Sequence, residues 1–92
     1  MKISLQDAKE LVFGDAPEGY LIIEESKWVH SHPKLEEMTV IFQFGNRYYE
    51  ISNTRSGSPF SDWWYESNDW KGEQEVTEVK KVEKLTYEWV NV

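Results

Sequence analysis

The sequence predicts an α+β fold: one antiparallel β-sheet of four to five strands with a short N-terminal helix on one face. Three observations carry this. EMTVIFQF-GN-RYYEISNT places a two-residue turn between two alternating apolar runs, the pattern of a β-hairpin. SLQDAKELV sets Leu5, Ala8, Leu11 and Val12 on one helical face behind a capping serine. From Tyr20 onward, aromatic and β-branched residues dominate between Gly, Pro, Asn and Asp clusters.

In chain order, the helix runs over residues 4–12, ends at Gly14 and turns through Asp15-Ala16-Pro17-Glu18-Gly19. So short a helix does not persist alone and must lie against the sheet. YLIIEESKWV reads as the first strand, closing at the loop HSHPKLEE. Folding about Gly45-Asn46 then pairs Phe44 with Arg47, Phe42 with Tyr49 and Val40 with Ile51, all on one core face. Thr39, Ile41, Gln43, Tyr48, Glu50 and Ser52 form the other, mostly polar face. Arg55-Ser56-Gly57-Ser58-Pro59 is a turn, FSDWWYES a further strand, and NDWKGEQE a polar loop enclosing Trp70. VTEVKKVEKLTYEWVNV is read as one long strand, with a bulge allowed near Lys80-Lys81. The sheet face away from the helix is expected to stay solvated unless a partner covers it.

Ninety-two residues make a single domain, 1–92, which buries only roughly 60–65% of its unfolded surface. An aromatic share of 15% helps so small a core, because large rings bury much area each. With no cysteine, disulfides and thiolate metal sites are excluded. The net charge is −7, and the span from Asp62 to Glu78 holds six acids against Lys71. That balance argues against direct binding to nucleic-acid phosphates and is compatible with a basic protein partner.

Chemistry-bearing patterns are sparse. His30-Ser31-His32 sets two imidazoles on one side of an extended segment, but a metal site needs further ligands, so they read as exposed loop histidines. No Ser/His/Asp spacing, phosphate loop or flanked carboxylate pair is evident, so neither enzyme activity nor a cofactor is expected. Arg55 with Ser56, Gly57 and Ser58 can present a guanidinium, hydroxyls and backbone N–H groups to an anion; the plainer alternative pairs it with Asp62 or Glu66. Strand alternation sends Trp63 and Trp64 to opposite faces, so one face cannot bury both. One ring belongs to the core; the other, with Tyr65 or Trp70 nearby, is either covered by the helix or a loop or helps form a contact patch, and Trp70, in its polar loop, is expected to serve binding rather than folding.

Arg47-Tyr48-Tyr49, Thr54-Arg55-Ser56-Gly57-Ser58, Asp62-Trp63-Trp64-Tyr65-Glu66 and the closing Glu75-Val76 to Glu88-Trp89-Val90 together resemble a group of small proteins encoded by phages and prophages of Gram-positive bacteria. The likeness covers about residues 42–92. It implies an accessory phage protein, a class often devoted to binding and inhibiting a host protein.

The expected function is therefore a non-catalytic module that occupies a host protein through an aromatic patch rimmed by acids. Its candidate contacts are Arg55, Asp62, Trp63, Trp64, Tyr65, Glu66, Asp69 and Trp70. Three alternatives stand beside it: a DNA-mimicking inhibitor of a nucleic-acid enzyme (anti-CRISPR or anti-restriction), a nucleotide binder using Arg55 with stacking tryptophans, and a virion or assembly component working through strand edges. The uncovered face also admits a symmetric homodimer. MKISLQDAKEL lacks the apolar run of a secretory signal and no membrane-spanning run follows, so the expected location is the host-cell cytoplasm, with no membrane partner.

Overall fold

The computed structural model describes residues 1–57, 62–83 and 87–92, and of Ser31, His32, Glu83 and Tyr87 the backbone alone. The Ser58-Pro59 half of the expected turn and Phe60-Ser61 of the expected strand lie outside the described residues.

The helix α1 spans Leu5–Val12. Ser4 caps it, its Oγ accepting the Asp7 N–H at 3.1 Å. The Asp7 carboxylate is close enough to the Tyr20 phenol to act on its titration. Burial and this acidic neighbour push the Tyr20 pKa up to about 12. Ala8, Leu11 and Val12 are buried against the sheet.

The hairpin joins β4 (Leu35–Phe44) to β5 (Arg47–Ser56) in the expected register, which continues unbroken from Phe44↔Arg47 to Leu35↔Ser56. Gly45 takes φ +65 while Asn46 stays at negative φ, the type II′ arrangement whose twist suits the flanking strands. Val40, Phe42, Tyr49 and Ile51 form the core with Met38, Ile3, Val76 and the buried side of α1. Phe42 and Val40 are fully enclosed.

Strand number is where expectation and structure part. Among the described residues seven strands, not four to five, form one antiparallel sheet, with a two-stranded ribbon beside it. YLIIEESKWV is two strands: β2 (Tyr20–Glu25) and β3 (Val29–His32) both pair with β4. Between them Ser26 replaces the ladder with its own side chain, its Oγ accepting the Thr39 N–H at 2.8 Å while its N–H donates to the Thr39 carbonyl at 2.9 Å. The chain then leaves the sheet at Trp28. Of FSDWWYES, the described residues hold β6 (Trp64–Tyr65), and Glu66–Asp69 is a 3₁₀ turn. The tail is a hairpin of β8 (Thr77–Glu83) and β9 (Tyr87–Asn91), with no bulge at Lys80-Lys81, where the register runs through unbroken.

The expected polar loop also holds more than turns. In it β7 (Gln74–Glu75) pairs with β1 (Lys2–Ile3), and the Val76 N–H donates to the Met1 carbonyl at 2.8 Å. This ribbon closes one end of the core over Ile3 and Val76, and Trp70 packs against the same core.

Register fixes the faces. Val79 stands opposite Tyr48, so β8 and β9 bring Val79 and Trp89 onto the side away from the helix. There the Tyr48 and Trp89 rings lie 5.0 Å apart, and Ile41 and Val79 are buried. The second face thus holds a small apolar cluster of its own, because the tail folds back on itself. No helix among the described residues is long and apolar enough to cross a membrane.

Candidate functional site

The last rungs of the β4–β5 hairpin carry the most unusual chemistry of the chain. Glu36 and Arg55 are cross-strand partners on the helix side of the sheet. Nε and Nη2 of Arg55 both donate to Glu36 Oε1, at 2.8 and 2.5 Å, and the other carboxylate oxygen lies 3.6 Å from His30 Nε2. Both side chains are largely enclosed, Arg55 at 18% and Glu36 at 13% exposure.

The guanidinium faces are covered as well. Its central carbon sits 4.4 Å from the ring centre of Trp28 and 4.1 Å from that of Trp63, a cation between two indoles. Trp28 arrives from the chain leaving β2, and Trp63 from the segment entering β6. Tyr65, opposite Arg55 across the β5–β6 pair, packs on Trp28 at 5.8 Å and edge-on to Phe13 at 5.4 Å. Burial on its own would make the guanidinium a weaker base, yet the bonds to Glu36 and Tyr65 outweigh it and hold the Arg55 pKa above its ordinary value.

Two further devices hold this frame. Buried Asn53 binds the 3₁₀ turn from both ends of its amide: Oδ1 accepts the Ser67 N–H at 3.1 Å, and Nδ2 donates to Ser67 Oγ at 3.1 Å. Gly57 has φ +130, and a Cβ there would lie 2.8 Å from the Asp62 carbonyl oxygen and 3.4 Å from Trp63. Only glycine lets the chain pass so closely and bring Trp63 onto Arg55.

The anticipated patch is therefore divided. Arg55, Trp63 and Tyr65 are gathered into a framework on the helix side. Trp64, opposite Ser56, lies on the other face and is 46% exposed, with Asp62, Glu66 and Asp69 also exposed. Trp70 is half-buried against the core, contrary to its reading as a ring free for binding. Arg55 pairs with Glu36 rather than with Asp62 or Glu66.

Sequence reasoning missed Glu36, Trp28, Phe13 and Asn53, and read Gly57 only as part of a turn. Glu36 had a usable signal: the hairpin register, carried four rungs past Val40 and Ile51, sets it opposite Arg55. Trp28 had none, because its approach depends on where β2 leaves the sheet. A pocket of about 310 Å3 lies on the β5 edge, lined by Glu50, Ser52, Glu66, Trp70 and Glu75 among others. Among the described residues no group of three His, Asp or Glu side chains converges to hold a metal ion.

Residues 2–92 match the family described as Phage T4 Y04K protein. The chain belongs to that family. The match spans nearly all of the sequence, including the N-terminal part that contributes nothing to the motif resemblance, and it establishes a phage protein. No curated protein and no solved structure matches the chain.

Proposed function

We propose that this Y04K-family protein is a non-catalytic phage accessory module that binds a host protein through the exposed side of the 62–66 segment. Trp64 is the anchor, and Asp62 and Glu66 are its acidic rim. The observation that carries the reading is a large ring, 46% exposed, on a short strand braced by the Asn53–Ser67 bonds and the Arg55 stack. A rigidly held tryptophan spends little ordering entropy on binding, and tryptophan is the residue type most enriched among interface hot spots. Inhibition of the bound host protein, action in the host cytoplasm and a Gram-positive host are parts of this proposal; the last rests on the motif resemblance alone.

The test compares wild type with Trp64→Ala as bait in host lysate. We expect one host protein to be retained by the wild type and lost by the variant at unchanged melting temperature. Equal retention by both removes Trp64 from the interface, and retention of nothing by the wild type removes the proposal. The DNA-mimic reading draws on the exposed acids Asp62, Glu66, Asp69, Glu73 and Glu75. Salt separates the two, since a mimic's affinity falls steeply with ionic strength and an aromatic contact persists.

A further inference from the structure

A second concavity lies on the helix side of the sheet, away from Trp64. It is formed where the end of α1 faces the chain between β2 and β3, and has a volume of about 240 Å3. Val12, Phe13, Trp28, Met38 and Tyr65 supply apolar and aromatic walls, and Glu25 is the one charged residue lining it. We propose that this pocket receives a lysine side chain of the protein partner, its methylene stem against the walls and its ammonium on Glu25. The proposal rests on the host-protein reading only for the identity of the chain that carries the lysine.

Four observations favour this occupant. The volume falls below the roughly 300–1,000 Å3 of small-molecule sites and suits one inserted side chain. Three of the walls are aromatic rings, whose faces attract cations and pack against a methylene stem. The Glu25 carboxylate has no ion-pair or hydrogen-bond partner among the described residues, so its charge is available. A Cβ on residue 14 would lie 3.0 Å from Glu25 Oε1, so Gly14 leaves room for the carboxylate beside the helix end. Arg55 stacks on the same Trp28 but is already neutralised by Glu36, so it does not cancel the attraction. The chain's net charge of −7 adds a long-range preference for a basic partner surface.

The experiment needs no host protein. N-acetyl-lysine methylamide and its uncharged norleucine counterpart are titrated into the full chain while the Trp28 indole N–H and the Met38 methyl are followed by NMR. We expect saturable shifts with the lysine probe and binding at least about fivefold weaker with norleucine. Glu25→Gln should weaken the lysine probe about two- to fivefold, as for an exposed ion pair, and Phe13→Ala, at a ring 53% exposed, should weaken it as well. Trp64→Ala should leave the titration untouched. Absence of saturation, equal binding of norleucine, or indifference to Glu25→Gln each overturns the proposal. None of these results touches the Trp64 comparison in lysate, so failure here and failure of the host-protein reading are distinguishable.

Discussion

Arg55→Ala removes a cation from between two indoles and strands a carboxylate in a place with little water. The cost follows from the enclosure. Breaking a buried ion pair from one side costs about 3–5 kcal/mol, and the 13–18% exposure of this pair trims that to about 2–3. Two partly covered cation–π contacts add about 0.5–1 kcal/mol each. The expected loss is therefore about 3–5 kcal/mol, from a total of about 5–14 kcal/mol for a domain of this length. Arg55→Lys keeps the charge but not the planar fork or the stack, and should lose about 1–2 kcal/mol. Urea unfolding followed by far-ultraviolet circular dichroism measures both, because tryptophan emission would respond to the substitution itself. A double-mutant cycle with Glu36→Gln should return a coupling of about 2 kcal/mol. A loss below about 1 kcal/mol for Arg55→Ala, or a coupling within about 0.5 kcal/mol of zero, refutes the framework role.

Two further outcomes follow from single positions. Gly57→Ala combines a left-handed backbone with a contact at 2.8 Å, so it should cost about 1–3 kcal/mol, lower the melting temperature by at least about 4 °C and shift the Trp63 indole resonance; an unchanged melt contradicts the close passage. Tyr20, held protonated up to about pH 12 by burial and Asp7, binds its proton more tightly in the folded than in the unfolded chain. Its contribution is complete below pH 10 and is lost as pH rises from 10 to 12, about 1–2 kcal/mol after allowance for the ring's partial exposure. Asp7→Asn should bring the Tyr20 titration part of the way back toward its ordinary value, and no change on that substitution would exclude Asp7 as a cause.

The legible parts of the fold were those written in neighbouring residues. Gly45-Asn46 set the hairpin register, and that register carried the faces of Phe42, Tyr49, Val40 and Ile51 with it. Ser4 and the spacing of Ala8, Leu11 and Val12 announced the helix. The ribbon of Lys2–Ile3 with Gln74–Glu75 was not legible, since a two-residue strand has no period and its partner is about 70 residues away. The tail's alternation was read correctly as extended chain, but nothing in Val76–Val92 marks the reversal as Gly45-Asn46 marks the first. At the site, alternation did separate Trp63 from Trp64. It could not show that Trp63 and Trp28 would meet on opposite sides of Arg55, because that meeting depends on two segments that have each left the sheet.

The ribbon that seals the core has a kinetic corollary. Its two rungs close the longest loop in the molecule, whereas the β4–β5 hairpin closes one of two residues, so the seam assembles after the sheet is in place and parts before it does. Parting would bare Ile3 and Val76 while the Arg55 stack, tied to the β4–β5 ladder, stays intact. Amide exchange should therefore run fastest at residues 2–3 and 74–76, giving the domain a soft end remote from the rigid ring cluster.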